Sequence, residues 1–334
     1  MKKRVYIRAD MNPQIATGHI RRCLAISDAV RELGGEAVFL TADFNAKRLL
    51  EEHGLRYYVL NSRWDRMQDE LETLYQIIQK ENIDTLLIDS YQVTKKYLEN
   101  LKKAVKIVLL DDLFLFDYPA DEIICYANYC HQFPYDKKRY ENLYLGMDYT
   151  PLRRVFWKPE KKEIRKEIRR VLVCSGGSDM FGAIETIVGK LKDRYECIDA
   201  VCGLYSDSYE KLLETYGGYK NIRIVKDVKD IETYMLQADV AISAGGTALY
   251  ELCAVGAPAI SYAIADNQLK NVMQFEKDGL ISYAGDIRRE DISENVLTYL
   301  EKYESQTTRS ELSRKMQSAV DGKGAVRIAK ALME

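Results

Sequence analysis

Short apolar runs and longer amphipathic stretches alternate along this chain. In the first half, Val5–Ala9, Ala37–Leu40, Tyr57–Leu60, Leu86–Ile88 and Ile107–Leu110 read as buried strands, with further short ones at Glu122–Cys125 and Leu143–Leu145. Ile20–Leu33 and Asp69–Lys80 carry apolar residues at helical spacing. A second series of strands follows at Val171–Cys174, Ala200–Cys202, Ile222–Val225, Val240–Ile242, Ala259–Tyr262 and Ile281–Tyr283. Helices over Asn295–Glu304, Ser310–Val320 and Ala325–Met333 close the chain. Alternation of this kind predicts parallel sheets covered by helices on both faces. Trp157–Arg170 is dense in charge, holds one proline and is the expected linker. The expected architecture is therefore two Rossmann-like α/β domains, residues 1–155 and 156–334, with parallel sheets facing a central cleft. In such sheets ligands bind beyond the carboxyl ends of the strands.

The C-terminal half carries the clearest candidate chemistry. The strand Val240–Ile242 runs into Ser243-Ala244-Gly245-Gly246-Thr247, and a helix is predicted from Ala248. Gly245 and Gly246 let a ligand approach the main chain, and the helix start offers unpaired N–H donors and a partial positive charge. That combination suits a nucleotide diphosphate. Glu251, one turn into the helix, is placed to accept hydrogen bonds from ribose hydroxyls. A further strand ends in Asp266-Asn267-Gln268, a polar cluster at another helix start. Ser175-Gly176-Gly177-Ser178-Asp179 follows Val171–Cys174 with the same grammar. Neither turn matches G-x-G-x-x-G or G-x-x-x-x-G-K-[ST], which argues against a Rossmann dehydrogenase or a P-loop nucleotidase.

The first strand leads through Asp10-Met11-Asn12-Pro13-Gln14-Ile15-Ala16-Thr17-Gly18-His19 into a helix. His19 reads either as a helix cap or as a general base, since a helix N-terminus disfavours the protonated ring. The neighbouring Arg8, Asp10 and Arg22 favour the base. Asp10 is expected to orient the ring, and Arg22 to meet Asp10 or a ligand phosphate. Asp89 and Tyr91, just past Leu86–Ile88, are expected to contact substrate, whereas Asp112 is expected to cap the next helix. His53 is expected at a helix C-terminus. Tyr118, Tyr126, Tyr129, Tyr135, Tyr140, Tyr144 and Tyr149 read as half-buried surface residues.

The 334 residues suffice for two cores, and a net charge of −2 gives no reason to expect nucleic acid or an anionic membrane surface. No apolar run approaches the roughly 18 residues of a membrane span. The Met1-Lys2-Lys3-Arg4 start reads as a first strand and not a signal peptide, because Arg8 and Asp10 interrupt the apolar run. Seven cysteines without a C-x-x-C read as reduced thiols of a cytoplasmic protein. Cys125, Cys130 and His131 lack a second ligand pair at zinc spacing.

With Arg8-Ala9-Asp10, Thr17-Gly18-His19 and Ser243 to Glu251 in view, the chain resembles the UDP-sugar hydrolase of pseudaminic acid biosynthesis and related spore-coat polysaccharide proteins, within the GT-B glycosyltransferase superfamily. Arg8, Asp10, Gly18, His19, Arg22, Asp89, Tyr91, Gly176, Gly177, Asp179, Glu251, Asp266, Asn267 and Gln268 stand where that pattern expects them. Ala16 replaces the first glycine of the usual G-x-G-H. The resemblance implies a GT-B-like fold and hydrolysis of UDP-2,4-diacetamido-2,4,6-trideoxy-β-L-altropyranose. Water attacks the anomeric carbon with inversion, UDP leaves, and no cofactor or metal is implied. In that reaction His19 would take the proton from water, with Asp10 and Tyr91 as catalytic neighbours. Gly245, Gly246, Thr247 and Ser178 would stabilise the diphosphate, Glu251 the ribose, and Asn267 and Gln268 phosphate or sugar. A GT-B transferase passing the sugar to an acceptor hydroxyl is the alternative.

Overall fold

The computed structural model describes residues 2–160, 162–177 and 179–334, so Ser178 lies outside the described residues. The chain forms two compact units, Met1–Arg154 with Lys323–Glu334, and Val155–Gly322.

The first unit runs β1 (Arg4–Ala9), α1 (Gly18–Glu32), β2 (Glu36–Thr41), α2 (Lys47–Glu52), β3 (Arg56–Val59), α3 (Leu71–Glu81), β4 (Thr85–Asp89), α4 (Lys95–Leu101), β5 (Lys106–Leu110), β6 (Glu122–Cys125) and β7 (Asn142–Leu145). Its sheet has the order β3-β2-β1-β4-β5-β6-β7, and every pairing is parallel. Parallel strands need cover on both faces, so they read as nearly unbroken apolar runs. β4 shows this: Leu86, Leu87 and Ile88 are all fully buried. On one face Leu40, Leu86, Ile88, Ile107 and Leu109 share a core with Leu74, Ile78, Leu98 and Leu101. Each such side chain contributes about 1.5–3 kcal/mol on burial.

The second unit runs β8 (Arg170–Cys174), α5 (Ala183–Leu191), β9 (Cys197–Cys202), α6 (Ser208–Tyr216), β10 (Ile222–Lys226), α7 (Ile231–Gln237), β11 (Val240–Ala244), α8 (Ala248–Val255), β12 (Ala259–Ala263), α9 (Asp266–Lys277), β13 (Ser282–Asp286), α10 (Ser293–Tyr303) and α11 (Gln306–Ala319). Its parallel sheet has the order β10-β9-β8-β11-β12-β13. In each unit the strand order reverses beside the first strand, at β1/β4 and at β8/β11. That switch point is where open α/β sheets leave a crevice for ligands.

Two expectations about organisation are corrected. The last helix, α12 (Gly324–Met333), completes the first unit instead of the second. It packs on α1, Lys3 Nζ donates to Met333 O at 2.6 Å, and Arg327 Nη1 donates to Asp148 O at 2.8 Å. A Cβ at Gly324 would collide with the Thr150 backbone, so glycine is what lets the helix start there. The predicted linker is also no free tether. Lys162 is buried, its ammonium donating to the carbonyls of Met235, Leu236 and Ala238 at the C-terminus of α7. Arg165 Nη1 lies 3.0 Å from Asp239. Charge in this stretch serves helix capping.

Candidate functional site

In the first unit the candidate side chains gather where β1, β4 and β5 end. The first loop is held by an Asx turn: Asn12 Oδ1 accepts from Gln14 N at 2.9 Å and Ile15 N at 3.0 Å. Ala16 then adopts φ +54°, a left-handed conformation that suits glycine. This chain takes that conformation with alanine. Gly18 opens α1 with nothing within 4 Å of where a Cβ would stand.

His19, on the first turn of α1, is 6 % exposed. Its Nδ1 lies 2.6 Å from Asp89 Oδ1. Arg22 Nη2 stands 3.0 Å from the same nitrogen; in the tautomer whose Nδ1–H faces the carboxylate, the lone pair is on Nε2. Among the described residues Nε2 has no hydrogen-bond partner. Asp89 is fully buried and is clamped by Arg22 through Nε to Oδ2 at 2.6 Å and through Nη2 to Oδ1. Burial opposes ionisation of Asp89, but Arg22 and His19 outweigh it and hold the carboxyl well below the usual range. Tyr91 stands edge-on to the His19 ring, centroids 4.5 Å apart at 77°.

Several assignments change here. The group that orients His19 is Asp89. Asp10 turns elsewhere, accepting from Ala42 N at 2.7 Å and pairing with Arg8. Arg8 is fully buried and donates to Glu70 at 2.8 and 2.7 Å, with Tyr97 OH on the same carboxylate at 2.8 Å. Arg8 and Asp10 therefore tie the ends of β1 and β2 to the turn before α3, with no bond to His19. Arg22 meets neither Asp10 nor open solvent: its Nη1 reaches Asp112 Oδ2 at 2.9 Å and Tyr126 OH at 2.6 Å. Asp112 caps no helix, since Tyr91 OH and Tyr126 OH donate to its Oδ2 at 3.0 and 3.3 Å. Tyr126 and Tyr129 are buried and not surface tyrosines. Nothing in their local sequence signals this, because their partners lie on other strands. His53 does end α2, as expected, with Nδ1 2.8 Å from Leu49 O.

In the second unit the two glycine turns leave adjacent strands, with Ser243 of β11 opposite Cys174 of β8. The glycines act through space more than as donors. Gly245 N donates to Tyr262 O at 2.8 Å and Gly246 N to Ala244 O at 2.9 Å. A Cβ on Gly245 would collide with Val272 of α9, and one on Gly246 would stand 3.7 Å from Gln268 Nε2. The N–H groups left without a partner among the described residues are those of Thr247 and Ala248, at the start of α8. Asn271, which the sequence did not single out, donates to Gly245 O at 2.9 Å and accepts from Tyr250 OH at 2.8 Å. Ser243 is fully buried, with its hydroxyl on Ala244 O at 3.2 Å.

At the β8 turn Gly176 takes φ +78°, and Tyr205 N donates to Gly177 O at 3.0 Å. Asp179 caps α5, accepting from Ala183 N at 2.9 Å, and burial pushes its carboxyl up. Glu251 lies half-buried on the first turn of α8. At α9, Asn267 is exposed, Gln268 Oε1 accepts from Ile264 N at 3.2 Å, and Asp266 pairs with Arg288 at 2.8 Å. Asp266 is thus engaged with a neighbouring loop. No helix among the described residues is long and apolar enough to cross a membrane.

Comparison with known proteins bears on the fold and on distant relatives. Residues 171–326 match the glycosyltransferase family 28 C-terminal domain. The chain is 23 % identical over 285 residues to the UDP-2,4-diacetamido-2,4,6-trideoxy-beta-L-altropyranose hydrolase of Campylobacter jejuni, covering 83 % of this chain and 97 % of that protein. It is 27 % identical over 201 residues to the spore coat polysaccharide biosynthesis protein SpsG of Bacillus subtilis, covering 58 % of each. The chain spans just over half the length, 55 % and 58 %, of the first curated relatives it matches. Among solved structures, MurG of Acinetobacter baumannii superposes with a TM-score of 0.72 at 13 % identity, covering 99 % of both chains. The fold is that of the GT-B glycosyltransferases, and by sequence the chain is a distant relative of the Campylobacter hydrolase and the Bacillus spore-coat protein.

Proposed function

We propose that this protein is a nucleotide-sugar hydrolase that releases UDP from a UDP-linked diacetamido-trideoxy sugar by attack of water at the anomeric carbon, with inversion. The observation that carries the reading is His19, buried, with Nδ1 tied to an ionised Asp89 and Nε2 free. An imidazole so held accepts a proton at Nε2 while Asp89 and Arg22 keep its ring in place. As the water oxygen bonds to the anomeric carbon, its proton passes to Nε2. The glycosidic C–O bond breaks, and its electron pair leaves on the diphosphate of UDP. The free Thr247 and Ala248 N–H groups, with the Thr247 hydroxyl and the α8 dipole, stabilise that growing charge. Glu251 takes the ribose hydroxyls, and Asn267 and Gln268 the phosphate or sugar. The relationship to the Campylobacter hydrolase, over 97 % of its length, supports this choice of chemistry and substrate.

Transfer to an acceptor hydroxyl is the second reading, favoured by the match to the family 28 C-terminal domain. Turnover of the UDP-sugar in 18O-labelled water without acceptor separates the two. Label in the sugar supports hydrolysis at carbon. Label in UDP means attack at phosphorus and removes the role given to His19, and absence of UDP release favours transfer. His19→Asn is expected to slow release by about 10²- to 10⁴-fold with UDP still bound.

A further inference from the structure

The Arg22 guanidinium is shared between two carboxylates, and only one of them touches His19. Nε and Nη2 clamp Asp89, while Nη1 is held by Asp112 Oδ2 at 2.9 Å and Tyr126 OH at 2.6 Å. The guanidinium is planar, so fixing Nη1 fixes the plane in which the other edge meets Asp89. Asp112 has a second line to the histidine: Tyr91 OH donates to the same Oδ2 at 3.0 Å, and the Tyr91 ring packs edge-on against His19. Tyr129 OH, donating to Asp112 O at 2.8 Å, fixes the main chain beneath. Among the described residues, Asp112 Oδ1 is meanwhile buried without a partner. A carboxylate oxygen buried without a donor is unfavourable as mere scaffolding. Here three donors converge on Oδ2, the oxygen that reaches both neighbours of His19.

We propose that Asp112 and Tyr126 are positioning residues that act through Arg22 and Tyr91, holding Asp89 and the His19 ring in the single arrangement that leaves Nε2 free. This rests on the general-base reading of His19. The groups facing His19 are Asp89 at the end of β4, Arg22 of α1 and Tyr91 after β4. Those facing Arg22 are His19 and Asp89, Asp112 after β5, Tyr126 after β6 and Tyr91. Asp112 balances part of the Arg22 charge. Without it, the unbalanced cation opposes protonation of the imidazole.

The test compares Asp112→Asn and Tyr126→Phe with wild type in the full chain. For Asp112→Asn the expected result is a kcat loss of about 10- to 100-fold, KM within about twofold, and an acid limb of kcat moved to lower pH. Tyr126→Phe removes no charge, so a kcat loss of about three- to tenfold with an unmoved limb is expected. Imidazole 15N NMR of His19 reads positioning without turnover. Wild type should show one neutral form protonated at Nδ1, and both variants a mixture of tautomers. Folded variants that keep wild-type kcat, pH limb and imidazole signals would overturn the proposal. If wild type released no UDP, the hydrolase reading would fall, and the imidazole signals alone would still decide this one. If Asp112→Asn failed to fold, Tyr126→Phe with an unchanged imidazole spectrum would overturn it.

Discussion

The two switch points of this molecule prepare for chemistry in opposite ways. At β1/β4 the site is made of side chains: a histidine, two carboxylates, an arginine and two tyrosines, nearly every polar atom committed to another of the set. At β8/β11 it is made of main chain, and the charged side chains nearby cap helices or pair with loops. What that second site offers, among the described residues, is a pair of N–H groups without a partner. On the proposed reading, the first arrangement would tune one proton acceptor and the second would receive the charge of the leaving group. A leaving group whose charge spreads over several oxygens suits main-chain donors, and a single proton transfer suits a fixed ring.

The sharpest way to break this comparison is Asp89→Asn, which should lower kcat by on the order of 10³-fold through the wrong imidazole tautomer while leaving UDP affinity, measured by calorimetry, intact. The same carboxylate gives a pH signature. Its folded pKa is depressed, so its contribution to stability is full above its unfolded value of about 3.9 and is lost as pH falls below that. Wild-type unfolding midpoints should drop below about pH 4 more steeply than those of Asp89→Asn. Equal slopes would mean that the Arg22 clamp is not holding the carboxylate.

Glu70→Gln tests whether the Arg8 cluster is structural. Removing the charge opposite a fully buried arginine should destabilise by about 3–5 kcal/mol in urea unfolding, with the acid limb of kcat unmoved. A shifted limb would return Asp10 to the catalytic set. Gly245→Ala acts on the other site. Its Cβ meets Val272, so a loss of about 1–3 kcal/mol and weaker UDP binding are expected, with the His19 imidazole signals unchanged. The smallest effect is Ala16→Gly. It relieves a left-handed alanine but loosens the unfolded chain, for a net gain below about 1 kcal/mol readable in the thermal midpoint.

The alternation of strands and helices, both glycine turns and the placing of His19 at a helix start were legible in the residues alone. Those are local matters of apolar period, backbone freedom and helix-end polarity, and they need no partner from afar. Which acid stands against His19 depends on the fold. Asp10 is nearer in the chain, but Asp89 arrives beside the ring because β1 and β4 are neighbours in the sheet. Tyr126 and Asp112 joined Arg22 for the same reason, each brought by a different strand end. The return of α12 to the first unit was equally invisible, since its amphipathic pattern says only that it must pack. Local chemistry sets what each residue can do, and parallel pairing of strands far apart in sequence sets which of them meet.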